Sequence, residues 1–198
     1  MAPGCHCRHP APALTILAER PAADAAPQAG LRPGGVAPAR VPDARWVFSS
    51  PAAFIAFGGG CGLAPRGPGT AGTLAAFPLH LLLAWLLVPA LHLTAIAALF
   101  MLGVWACAAT SRALGTDDHG GIVIDEVAAF MLVLWWVPPT VLSWVAAFAL
   151  FRLFDIWKPQ PIRWFDRNLK GGFGVMFDDL LAAAATLIVF AIPAIVAP

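Results

Sequence analysis

Two adjacent acid pairs, Asp125-Glu126 and Asp178-Asp179, each stand where a charged stretch runs into a long apolar one. The charge-free runs behind them cover residues 127–151 and 180–198, 25 and 19 residues. A carboxylate at bilayer depth costs roughly 2.5–3.5 kcal/mol on insertion scales, and four that converged would also repel one another. A divalent cation removes both penalties, and a ligand set made only of oxygen selects hard Mg2+ or Mn2+. The plainer explanation makes each pair an N-terminal charge favoured by its helix dipole. It accounts well for one pair and poorly for two.

Cations accompany the acids. Eight of the eleven carboxylates and six of the twelve Lys and Arg, among them Arg152, Lys158 and Arg163, fall within residues 112–179. Carboxylates holding Mg2+ beside such bases suit phosphoryl transfer, because metal and bases together offset charge on the phosphate oxygens. Covalent routes through Cys or Ser lack their signatures, while a phospho-aspartate intermediate stays an alternative to direct attack by water. Cys61 and Arg66 are one residue too close for a Cys-x5-Arg loop, no Asp-x-Asp pair occurs, and no Ser sits in a nucleophile elbow. His119, beside the acids, is placed to relay a proton or simply to hold its loop. The segment GGGCGLAPRGPGTAGT, residues 58–73, is a Gly/Pro-rich entry to an apolar helix. Thr70 or Thr73 can cap that helix, leaving backbone N–H groups for an anion. It lacks the Gly-Lys-Ser/Thr of a nucleotide-binding loop.

The elements that must position these groups are apolar helices. The 198 residues are 60% apolar and 12% charged, with mean hydropathy +0.77, eight Trp and a net charge of +1. That balance suits a bilayer-embedded chain and gives no field for nucleic acid. Ala- and Leu-rich runs without alternation favour helix. An all-α membrane bundle built of helical hairpins is the resulting expectation; a compact soluble all-α bundle is the alternative. Gly67–Ser111 carries no charge over 45 residues, room for two spans of roughly 20 residues each, with Pro89 near the turn. Pro138-Pro139 divides 127–151 into halves too short to cross alone. They form either a re-entrant hairpin or one kinked span, with Trp135, Trp136, Trp144 and Trp157 at interface depth. If 127–151 crossed once, Asp155 and Asp178 would land opposite Asp125. A shared site therefore demands the hairpin, and the Arg and Lys gathered there make its face cytoplasmic.

Residues 1–45, with eight Pro and twelve Ala, read as a disordered tail before a helical domain over 46–198. Cys5, His6, Cys7 and His9 stand too close together, without a scaffold, to make a metal site. The four cysteines (Cys5, Cys7, Cys61, Cys107) form no disulfide framework.

PRGPGTAGT, DHGGIVIDE, FRLFDIWKPQPIRWFD and GGFGVMFDD, in that order over about residues 50–190, resemble the motifs of bacterial phosphatidylglycerophosphatase A. The matching positions are Gly69, Thr70, Gly72 and Thr73; His119, Asp125 and Glu126; Arg152, Asp155, Lys158, Pro159 and Pro161; and Asp166, Gly171, Gly172, Asp178 and Asp179. Ala71 stands where an aromatic is usual, Cys61 where Ser is common and Gly59 where Phe is common. Ala129 and Ala183 replace glycines. The resemblance implies a Mg2+-dependent, multi-pass enzyme of the bacterial inner membrane. Its substrate would be phosphatidylglycerophosphate, from which it removes the terminal phosphate to give phosphatidylglycerol. On this reading Asp125, Glu126, Asp178 and Asp179 hold Mg2+, and Asp155 is a further ligand or the base. Lys158 and Arg152 grip the phosphate, with His119 beside them. Thr70, Thr73, Gly69, Gly72 and Arg163 complete its cradle. Two rivals stand beside it: a small transporter or channel component, which would place acids within spans, and a non-catalytic membrane scaffold.

Overall fold

The computed structural model describes residues 41–116, 119–160 and 162–196, with side chains to Ile192. Residues 1–40, with the Cys5–His9 cluster, lie outside the described residues, as do Asp117, Asp118 and Pro161. Every regular element among the described residues is helical. Asp43 caps α1 (Ala44–Ser49) by accepting from the Trp46 N–H at 2.8 Å. The boundary expected after residue 45 thus falls inside a helix. Ser50 caps α2 (Pro51–Ala56), and a 3₁₀ stretch over Gly58–Leu63 follows.

Proline and glycine then punctuate the long helices. α3 (Pro68–Leu86) starts from Gly67 in the left-handed region, with Pro68 at its first position. α4 (Pro89–Leu114) also opens on proline and stops at left-handed Gly115. Gly67, not Thr70 or Thr73, therefore caps α3, which corrects the expected cap. Proline presets the first helical φ, and glycine takes the positive φ before it without steric cost. α5 (Ile124–Trp136) ends before Pro138-Pro139, and Thr140 caps α6 (Val141–Trp157) by accepting from the Ser143 N–H at 3.2 Å. α7 (Ile162–Asn168) and α8 (Gly171–Val196) complete the chain.

α3, α4 and α8 are long and apolar enough to cross a membrane. At about 1.5 Å per residue, α3 and α4 measure about 28 and 39 Å, against roughly 30 Å of hydrocarbon. Leu81, Trp85, Met101, Trp105 and Ile188 project outward from them, the apolar belt of a membrane bundle. α5 and α6 reach only about 20 and 26 Å and fold back on each other. Phe130 of α5 meets Phe148 and Phe151 of α6 with ring centroids 6.0 and 5.2 Å apart. A hairpin, not one continuous kinked helix, is what forms. α5 is the most enclosed helix, packed by α3, α4, α6 and α8.

The start of α8 lies along the end of α4, where a Cβ on Gly172 would stand 2.0 Å from the Val104 carbonyl oxygen. Only a residue without a side chain permits that approach. This contact also corrects an expectation: α8 begins at Gly171, so Asp178 and Asp179 lie two turns inside it rather than at its mouth. Packing against α4 extends the helix through a glycine-rich stretch that propensity alone would leave irregular. One end of the bundle thereby collects the starts of α3, α5 and α8 and the end of α6.

Candidate active site

The hairpin brings Arg152, near the end of α6, back to Glu126 in the first turn of α5. One guanidinium nitrogen, Nη1, donates to Glu126 Oε1 at 2.8 Å and to Asp155 Oδ2 at 2.6 Å. Asp179 reaches the same place from α8. Carboxylate oxygens of Glu126, Asp155 and Asp179 lie within 4.8 Å of one another. Glu126 Oε2 and Asp179 Oδ2 are buried without a hydrogen-bond partner, as is the Nε donor of Arg152. Such orphaned atoms cost about 1–3 kcal/mol each, more when charged. Burial pushes the Glu126 carboxyl up to about 7, against the opposing pull of the Arg152 guanidinium.

An all-oxygen trio with two unsatisfied oxygens fits a hard divalent cation. At Mg–O distances of about 2.1 Å, ligand oxygens stand about 3–4.2 Å apart, so the trio would draw in from its present spread to seat one. A single Arg152 cannot balance three converging carboxylates, and a cation can.

The remaining acids are disposed otherwise. Asp178 accepts from Lys158 Nζ, which also donates to Asp166 Oδ1 at 2.8 Å. Burial opposes the charge on Lys158, but the bonds to Asp166 and Asp178 outweigh it and hold the ammonium above its ordinary value. Burial also opposes the charge on Asp166, and its Lys158 partner nevertheless holds it below the usual carboxylate range. Asp125 accepts from the Glu126 N–H at 3.0 Å. Of the four acids expected to share a metal, Glu126 and Asp179 meet, Asp155 joins them, and Asp178 and Asp125 turn to other partners.

The cradle residues divide as well. A Cβ on Gly69 would stand 1.9 Å from Glu126 Oε1, and one on Gly72 3.1 Å from Oε2. These glycines make the space that Glu126 occupies, a role the residue-level reading missed although their i, i+3 spacing marks one helix face. Thr73 is buried and donates to the Gly69 carbonyl at 3.0 Å; Thr70 stays in the first turn of α3. Arg163 donates to the Trp157 carbonyl at 3.2 Å, bracing the end of α6. His119 Nδ1 accepts from the Gly121 N–H at 3.0 Å, and its ring packs on Phe57, the loop-holding option left open above.

Comparison with known proteins identifies the family. The sequence profile of the family described as phosphatidylglycerophosphatase A matches residues 54–194. The phosphatidylglycerophosphatase A of Escherichia coli (strain K12) is 43% identical over 143 residues, covering 72% of this chain and 83% of the relative. Its namesake in Haemophilus influenzae is 46% identical over 145 residues, covering 72% and 89%. A protein of Bacteroides thetaiotaomicron named as a candidate phosphatidylinositol-3-phosphatase is 40% identical over 146 residues, covering 70% and 90%. No solved structure matches the chain.

Proposed function

This chain belongs to the phosphatidylglycerophosphatase A family, and on that premise we propose that it hydrolyses the terminal phosphomonoester of phosphatidylglycerophosphate with Mg2+ as cofactor. The supporting observation is the trio of carboxylates from α5, α6 and α8 with two unsatisfied oxygens. Glu126, Asp155 and Asp179 would hold the ion, with Asp125 and Asp178 flanking them. When bound, Mg2+ offsets charge on the phosphate and activates the attacking water. The unpartnered Nε of Arg152 donates to a phosphate oxygen while Nη1 keeps Glu126 and Asp155 in place. Lys158 adds positive charge next to the site, and Thr70 offers its hydroxyl from the first turn of α3. Water attacks phosphorus opposite the glycerol oxygen as the P–O bond to glycerol breaks, and a proton given up by the water ends on that oxygen, releasing phosphate and phosphatidylglycerol. Arg and Lys concentrate at this end of the bundle, which favours a cytoplasmic orientation in the bacterial inner membrane and a place in phosphatidylglycerol synthesis.

The Bacteroides relative supplies a second reading, a phosphomonoester on an inositol headgroup. Both readings are tested by phosphate release from the full chain in detergent, on phosphatidylglycerophosphate and on phosphatidylinositol 3-phosphate. Release from the first lipid that stops with EDTA and returns with Mg2+ is the expected result. Release unaffected by EDTA would overturn the metal, and release from the inositol lipid alone would overturn the substrate.

A further inference from the structure

A pocket adjoins the carboxylate site. It has a volume of about 210 Å³ and lies between the end of α7 and the start of α8, where Arg167, Lys170, Gly171, Gly174 and Asp178 line it together with Asp166. Asp178 belongs to both places: its charge acts on Glu126 and Asp179, and it walls the pocket. The two acids in the wall are compensated, because Lys158 bridges Asp166 and Asp178. Arg167 and Lys170 are different. Both are exposed, and neither has a hydrogen bond or ion pair among the described residues; Lys170 acts on Asp166 only through space. With Lys158 counted, the pocket carries three cations against two acids. Gly174 lets the Leu169 backbone close its wall, since a Cβ there would stand 2.4 Å from the Leu169 carbonyl oxygen.

The dimensions suit a particular ligand. Gly174 stands one helical turn before Asp178 and Gly171 nearly two, about 6 and 10 Å along α8. A lipid whose headgroup carries a terminal phosphomonoester and a phosphodiester, joined by a three-carbon bridge, sets its two phosphorus atoms about the shorter of these distances apart. Trp164 and Phe173 project beside the pocket, and Phe177 packs against Phe165 and Phe173, fixing α7 to α8. Exposed aromatics of this kind sit at the headgroup level of a bilayer, where the diester of a lipid lies.

We propose that this pocket binds the phosphodiester of the substrate, with Arg167 and Lys170 as its specificity-determining residues. The proposal rests on the carboxylate site being where the monoester is hydrolysed. It makes the enzyme prefer a headgroup with two phosphates over phosphatidic acid, which has only the monoester.

The test compares wild type with the Arg167→Gln/Lys170→Gln double variant, whose side chains are exposed. With dihexanoyl phosphatidylglycerophosphate and dihexanoyl phosphatidic acid under saturating Mg2+, the ratio of the two kcat/KM values should fall about tenfold to a hundredfold, chiefly through KM. Equal losses on both lipids, or no loss on either, would overturn it. Calorimetric titration of the full chain with 1,3-propanediol bisphosphate and with propyl phosphate reads the pocket without turnover. Wild type should prefer the bisphosphate, and the double variant should bind both alike. No preference in wild type overturns the pocket; a preference without hydrolysis of either lipid overturns the catalytic reading and leaves the pocket standing.

Discussion

The bundle buries polar side chains at both ends, in opposite ways. At one end Glu126, Asp155 and Asp179 converge around a single guanidinium. Toward the other, His80 of α3 and His92 of α4 face each other with ring centroids 4.8 Å apart, and Trp144 stands edge-on to His80 at 6.1 Å. Each end leaves atoms without partners: Glu126 Oε2 and Asp179 Oδ2 at the first, His80 Nδ1, His92 Nε2 and Trp144 Nε1 at the second. The chemistry differs all the same. Carboxylates brought together repel, and either a retained proton or a cation from outside relieves them. Imidazole and indole rings are also flat apolar surfaces that pack edge to face. The lesson is that orphaned atoms alone do not mark chemistry; orphaned atoms within a cluster of one charge do.

The sharpest way to break this contrast is Glu126→Gln, which keeps shape and removes charge. Phosphate release should fall on the order of a thousandfold, the scale on which one essential charged group acts, while the chain stays folded by circular dichroism. Activity near wild type would erase the distinction between the ends. A smaller effect comes from Gly69→Ala. Alanine ordinarily gains about 0.5–1 kcal/mol over glycine in a helix, but here its Cβ would collide with Glu126. Activity should drop at least about tenfold with the melting temperature shifted by only a few degrees. A large loss of stability with activity intact would show that Gly69 serves packing instead. The least effect on catalysis belongs to His92→Leu, with turnover within about threefold of wild type. Its cost is in stability, about 0.5–1.5 kcal/mol from the lost ring contact with His80, and adding His80→Leu should cost little more in thermal denaturation.

Much of the scaffold was legible in the residue order. The 45-residue uncharged run, broken at Pro89, becomes α3 and α4, and Pro138-Pro139 separates α5 from α6, because proline constrains backbone whatever surrounds it. The start of α8 was not legible. Gly171-Gly172 reads as a helix break, and only the close passage of α4 makes Gly172 an asset. The same applies to Gly69 and Gly72, whose missing side chains matter only because Glu126 arrives from another helix.

By itself the sequence determined that carboxylates would crowd beside apolar helices and that the two charge-free halves of 127–151 were too short to cross singly. Which carboxylates meet was decided by the tertiary structure. Neighbours on a helix point about 100° apart, so two adjacent acids do not readily turn toward one ion. Asp125-Glu126 and Asp178-Asp179 each divide accordingly: Glu126 and Asp179 face the centre with Asp155, Asp178 turns to Lys158, and Asp125 accepts from the Glu126 N–H beside them. That partition depends on how α5, α6 and α8 are rotated about their axes, and rotation is set by what each helix packs against.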